Sequence, residues 1–159
     1  MQTLATAPAT VLETLAQNAM RLWRAQSAGI SIEEGRRQDG VFRWHAVEGV
    51  WSRFASGTLP RHASPCGTVP RENCSLLMSR LELAYPIPTE LSPRVEEVLL
   101  VPFRTAASDG KPVGTVGVIS HSEGTKFDRE DLRLMESLAA LAGAAYQTLV
   151  AAGHLRDPS

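Results

Sequence analysis

Cysteine is nearly missing: the 159 residues contain two, Cys66 and Cys74. That is too few for a disulfide scaffold and fits a reducing compartment. Neither sign of charge prevails. Sixteen basic residues against 17 acidic ones leave a formal net charge of -1, which supplies no field to gather nucleic acid or an anionic membrane surface. No stretch approaches the roughly eighteen consecutive apolar residues that a membrane span requires, and Met1 to Thr10 has no basic region followed by an apolar one. These absences point to a cytoplasmic protein without nucleic-acid or membrane partners. Internal repeats and low-complexity tracts are also lacking. What remains is an ordinary globular composition, 43% apolar and 21% charged, in a length that suits one domain able to bury its own core.

The clearest pattern runs from Val95 to Leu149. Val98-Leu99-Leu100-Val101-Pro102-Phe103 is short and rich in strand-favouring residues, so it reads as a buried strand. Asp109-Gly110 supplies a tight reversal, and Val113 to Ser120 returns antiparallel. A helix then begins at Asp128, whose carboxylate can accept from the first-turn amides, with Phe127 and Leu132 placed as a hydrophobic staple. Met135, Leu138, Ala142, Ala145 and Leu149 form a seam on this helix that must be buried.

Residues 1–9 read as a tail. Thr10 and Glu13 form a capping box that opens a first helix, and Leu12, Leu15, Ala19 and Leu22 with Trp23 give it a seam of its own. Gly29 is expected to end the helical region. Ile30-Ser31-Ile32-Glu33 alternates as a half-exposed strand does, and Val41 to Val47 returns from a turn at Gly35 to Gly40. Trp51 and Phe54 follow in an irregular stretch and are expected to cover one face of the sheet. Ser64-Pro65-Cys66-Gly67 predicts a short helix limited by Pro70; Cys74 to Met78 predicts a strand, and Glu82 to Pro93, with three prolines, a surface loop. Helices at both ends of a set of hairpin-linked strands make an antiparallel α+β domain.

That order resembles GAF domains, of the type that forms the sensory input module of bacterial two-component sensor histidine kinases. The residues that carry the resemblance are Ser64 to Val69, Glu97 to Phe103, Gly110 to Thr115 and Phe127 to Leu132. It covers residues 10–152, with 1–9 and 153–159 as tails. The resemblance implies a GAF-like, PAS-related central antiparallel sheet with the N- and C-terminal helices packed on one face. A small-molecule cavity would lie on the other. It further implies a homodimer through the terminal helices and an output domain, such as a histidine kinase, to receive the signal. No catalytic segment of such an output domain is recognisable, so the chain itself is expected to be non-enzymatic.

Several chemical groupings need weighing against simpler readings. Cys66 stands at a helix start, four residues after His62, where a lowered thiol pKa is conceivable; the simpler reading is a small buried residue. Cys-Gly-Thr at this turn also resembles the free methionine-(R)-sulfoxide reductases. Those enzymes rely on a further cysteine in the loop before the strand corresponding to Val98 to Phe103, and Glu82 to Val95 contains none. A reductase using Cys66 is therefore an alternative, as is a ligand-free dimerisation module. His62, Cys66 and Cys74 lack the paired spacing of a structural zinc site, so no metal is expected. Neither cysteine is followed by histidine, so no covalent bilin is expected. Ser120-His121 stands where cyclic-nucleotide-binding relatives have Asn-Lys. Gly110-Lys111 and Gly114 lie in a hairpin and not in a phosphate loop. His121 with Ser122 and Glu123 is a polar loop lacking a nucleophile elbow.

The expected function is non-covalent binding of an unidentified small molecule, with the state of the site relayed through the terminal helices. The residues expected to line the site are Trp51, His62, Ser64, Cys66, Tyr85, Leu100 and Phe103.

Overall fold

A computed structural model describes residues 10–34, 41–55, 57–60, 69–70, 73–79, 93–105, 110–122, 124 and 126–153. The first helix, α1, spans Thr10–Leu22. It buries Leu12, Ala16 and Ala19 against the sheet. Its end differs from the expectation at Gly29. Arg24 adopts a left-handed φ of 53°, its amide donates to the Arg21 carbonyl (3.3 Å), and the Ala25 amide reaches back to Met20 (3.0 Å). These two bonds satisfy carbonyls that a helix end leaves open, and an arginine takes the position that glycine usually fills at a cost of roughly 1 kcal/mol. The seam shifts accordingly. Trp23 is buried, whereas Leu22, about 100° further round the helix, is 71% exposed.

The chain then enters β1 (Ser27–Glu34), with Gly29 inside it, followed by β2 (Val41–Gly49), a 3-10 turn (Ser52–Phe54) and β3 (Thr58–Pro60). β4 (Leu76–Ser79), β5 (Glu97–Arg104), β6 (Pro112–Ser120) and helix α2 (Arg129–Ala151) complete the described elements. The six strands form one sheet in the order β3-β2-β1-β6-β5-β4. Every neighbouring pair is antiparallel. β1 lies at the centre of the sheet, so Ile30, Ser31 and Ile32 are all buried, and the strand is not half-exposed as its alternation suggests. β3 falls in the stretch whose sequence pattern is irregular. Gly110, with φ of 78°, takes the left-handed position in the turn between β5 and β6.

The terminal helices share one face of the sheet. Their buried residues meet Ile30 and Ile32 of β1, Leu99, Val101 and Phe103 of β5, and Val116 and Val118 of β6 in one core. α2 begins as expected. Asp131 N donates to Asp128 Oδ1 and Asp128 N donates to Asp131 Oδ2, both at 2.9 Å, which adds to the N-cap a reciprocal partner that completes a capping box. Trp23 Nε1 donates to the Asp131 carbonyl at 3.0 Å, tying the end of α1 to the first turn of α2. By length and hydropathy alone α2 would also suit a membrane span; here its Met135, Leu138, Ala142 and Leu149 pack on the sheet.

The expected short helix from Ser64 and the loop from Glu82 to Pro93 fall largely outside the described residues. Val69 and Pro70 are helical, and the limit expected at Pro70 falls on residues outside those described. Asn73, with φ of 52°, shows the same pair of bonds seen at Arg24, from its own amide to Pro70 (3.2 Å) and from Cys74 to Val69 (3.1 Å).

Candidate functional site

The second face of the sheet carries a smaller and more aromatic core. Because side chains alternate along a strand, Val98 and Leu100 point away from the helices and join Trp44, Val47, Trp51, Val69 and Val95. Trp44 stacks on Trp51 with ring centroids 6.0 Å apart. Phe54 stands edge-on to both, at 6.2 Å and 5.6 Å. The 3-10 turn brings Phe54 into this group, and Arg53 lays its guanidinium over the Phe54 ring at 4.6 Å. Trp51 is 4% exposed, so the cluster is a built wall and not a loose surface patch.

A polar node sits at the edge of this wall. The His121 ring lies 5.2 Å from that of Trp51. Its Nδ1 is 2.9 Å from the Arg94 carbonyl, which can only accept, so Nδ1 carries the hydrogen. In the neutral ring Nε2 then accepts from the Ser27 hydroxyl, 2.9 Å away. Ser27 Oγ in turn accepts from the Trp51 amide at 3.1 Å. The Trp51 indole donates to the Pro93 carbonyl at 3.1 Å. Two consecutive carbonyls just before β5 are thereby gripped by two rings. Gln26 ties the loop after β6, accepting from the His121 amide and donating to Ser122 Oγ. Ser27 is fully buried, so this serine-histidine pair has the connectivity of a nucleophile and its base but no room for a substrate. It joins the starts of β1 and β5, the end of β6 and the approach to α2.

Of the residues expected to line the site, Trp51 and Leu100 share this face. Phe103 does not. Three residues beyond Leu100 on a period-two strand, it points to the helices and meets Tyr146 edge-on at 6.0 Å. His62, Ser64, Cys66 and Tyr85 lie outside the described residues. Cys74 is free and exposed. It borders an open groove of about 1020 Å³ on the helix side, between Phe103, Arg104 and the small side chains Ala140, Ala144 and Thr148 of α2.

Sequence reasoning gave Ser27 and Trp44 no part in a site, and took His121 for an ordinary loop residue. Alternation alone would put Trp44 on the face of Ala46, which meets the helix-side core; a register shift between them turns Trp44 to the other face. The Ser27-His121 contact joins positions 94 residues apart, and no local pattern announces it. A charged pair is built on the helix side: Glu97, 4% exposed, accepts from Ser79 Oγ at 2.8 Å and stands 3.8 Å from Lys126 Nζ. Lys126 also donates to Ser79 Oγ at 3.1 Å, which fastens the loop before α2 to β4 and β5. Among the described residues no three His, Cys, Asp or Glu side chains gather where a metal ion could be held.

An antiparallel sheet roofed by the chain's two terminal helices, with an aromatic wall on its other side, defines a class of α+β ligand-sensing modules. The family model of the GAF domain matches residues 5–147, and the chain belongs to that family, whose members are sensory or ligand-binding modules. Solved structures agree in fold. The GAF domain of a phosphoenolpyruvate-protein phosphotransferase from Coxiella burnetii superimposes with a TM-score of 0.78 at 19% identity, over 97% of this chain and 92% of that one. The second GAF domain of DevS from Mycobacterium smegmatis gives 0.72 at 18% identity, over 91% and 96%. The free methionine-R-sulfoxide reductase from Neisseria meningitidis, solved with its substrate, gives 0.69 at 18% identity, over 87% and 77%. No curated protein sequence matches the chain.

Proposed function

We propose that this chain is the non-enzymatic, small-molecule-binding input module of a bacterial signal-transduction protein, with a sensor histidine kinase as its output partner. It acts in the cytoplasm as a homodimer joined through its terminal helices. The observation that carries this reading is the unequal treatment of the two faces of the sheet. One is sealed by α1 and α2; the other bears an aromatic wall whose Trp51 is wired through Ser27 and His121 to the loop that leads into α2. A guest that fits one packing of that wall better than another moves the equilibrium by its difference in affinity, and the terminal helices report the result.

Native mass spectrometry of freshly purified protein tests the reading, because it gives the subunit count and any retained small molecule together. The expected result is a dimer carrying added mass that is released on denaturation. A monomer without added mass, before and after incubation with cell metabolites, overturns it. Free methionine sulfoxide with dithiothreitol is expected to remain unreduced. The further cysteine on which the free methionine-(R)-sulfoxide reductases rely has no counterpart between Glu82 and Val95.

A further inference from the structure

We propose that the Ser31 hydroxyl is the polar anchor for the guest on the aromatic face, and that the guest meets it with an uncharged hydrogen-bonding group carried on a flat, largely apolar body. The proposal rests on the reading above that this face takes a small molecule, and goes on to name where the guest is held and of what kind it is.

Ser31 lies in β1 between Ile30 and Ile32, both of which join the helix-side core, so it points to the other face. Its partner across one ladder is Trp44 and across the other Thr115. The residue is 2% exposed. Its Oγ is closed off from solvent and has no hydrogen-bond partner. Ser27, four residues earlier on the same face and equally buried, has both its hydrogen and a lone pair engaged. A hydroxyl buried without a partner forfeits its hydration with nothing in return, and native chains rarely leave one so. Among the described residues Glu97 Oε2 is the other such oxygen, but it faces the Lys126 ammonium; Ser31 has no such compensation there.

The β1–β2 ladder is also broken at this point. The register shifts between Ile30 and Ser31, leaving His45 as an extra residue of β2, and such bulges re-aim side chains next to binding sites. The chemistry of the guest follows from the surroundings. Trp44 beside Ser31 is a flat apolar wall. The buried residues of this cluster, including Val47, Val98 and Leu100, are apolar, and the buried carboxylate of Glu97 is turned to the helices. The charged side chains of this face, Arg53 over Phe54 and Glu33 two residues beyond Ser31 on β1, are exposed or half-buried, so an ion brought to the buried Ser31 would lose its hydration among apolar neighbours.

Phenol and toluene, alike in shape and differing in one hydroxyl, serve as probes in titrations of the whole chain, native and Ser31→Ala. The indole N–H resonances of the three tryptophans report the location. Trp44 and Trp51 mark the aromatic face, and Trp23, bonded to Asp131, marks the helix layer. Both probes are expected to move the Trp44 signal and leave that of Trp23 in place. The advantage of phenol over toluene should be about three- to tenfold larger in the native chain than in Ser31→Ala, the worth of one ordinary hydrogen bond. Ser31→Ala should melt no lower than the native chain, since it removes an unpartnered group. An unchanged phenol-to-toluene ratio with Trp44 still responding overturns the anchor while the face keeps its role as a site. A Trp44 signal that neither probe moves overturns both. A Ser31→Ala chain that fails to fold shows the hydroxyl to be structural, and overturns the anchor.

Discussion

Gly143 in the middle of α2 rests directly on the backbone of Arg104 at the end of β5: a Cβ built on the glycine would stand 1.8 Å from the Arg104 carbonyl oxygen. The glycine is there for proximity, since it lets the helix settle onto the sheet. Gly143→Ala would raise helix propensity by about 1 kcal/mol, yet the contact is with backbone and cannot be relieved by turning a side chain. We expect net destabilisation of about 1–3 kcal/mol, read as a fall in Tm of about 2–4 °C per kcal/mol. A variant that melts at or above the native temperature would show that α2 does not sit on β5 at this point.

The Ser27 hydroxyl serves two partners at once, the Trp51 amide and His121 Nε2. Removing it strands both in a buried place, so Ser27→Ala should cost about 1–3 kcal/mol. His121→Ala should cost a similar amount through loss of Ser27 and of the Arg94 carbonyl. Because the two residues share a bond, the double variant should be destabilised by less than the sum of the single effects, by about 0.5–3 kcal/mol in urea unfolding. Strict additivity would mean that the two side chains do not interact.

The architecture was legible where local pattern and tertiary role agree. The Asp128 cap, the α2 seam and the β5–β6 hairpin follow from capping chemistry, helical spacing and a glycine turn, and each appears in the fold. Legibility failed where a residue acts against its type. Arg24 takes a glycine's conformation, so the end of α1 was placed too late and the start of β1 with it. Alternation in Ile30 to Glu33 suggested exposure, but a serine on a central strand is covered whether or not it is apolar. Phe103 and Leu100, three residues apart on one strand, cannot share a face, a spacing legible in the sequence; the contact with Tyr146 shows which layer Phe103 takes. The Ser27-His121 node was illegible because topology alone brings its members together.

The bond from the Trp23 indole to the Asp131 carbonyl joins the two helices at the point where α2 starts. Trp23→Phe keeps the apolar ring and deletes the donor, with an expected loss of about 1 kcal/mol. Asp128→Ala removes the cap from the same turn and should also cost about 1 kcal/mol, within the range of 0.5–2 for such residues, whereas Asp128→Ser should restore most of it. Hydrogen exchange of the first-turn amides of α2 would localise both effects. If Asp128→Ala frees no amide near residue 131, the capping box does not hold the helix start.

The outward side of α2 carries the strongest argument about assembly. Leu134 and Leu141, seven residues apart on one stripe, are 54% and 60% exposed, although the core-facing residues of the helix are buried. Scattered exposed leucines are unremarkable, but two on one stripe of the terminal helix offer the start of a helix-to-helix seam of the kind the proposed dimer requires. Lysine at both positions would place two charges in that seam on each subunit while leaving the described intrachain core untouched. Sedimentation at micromolar concentration should therefore show the native chain as a dimer and Leu134→Lys with Leu141→Lys as a monomer. Stability of the isolated fold should change by no more than about 0.5 kcal/mol. A doubly substituted chain that still sediments as a dimer would place the interface elsewhere, and with it the route by which the aromatic face could reach an output domain.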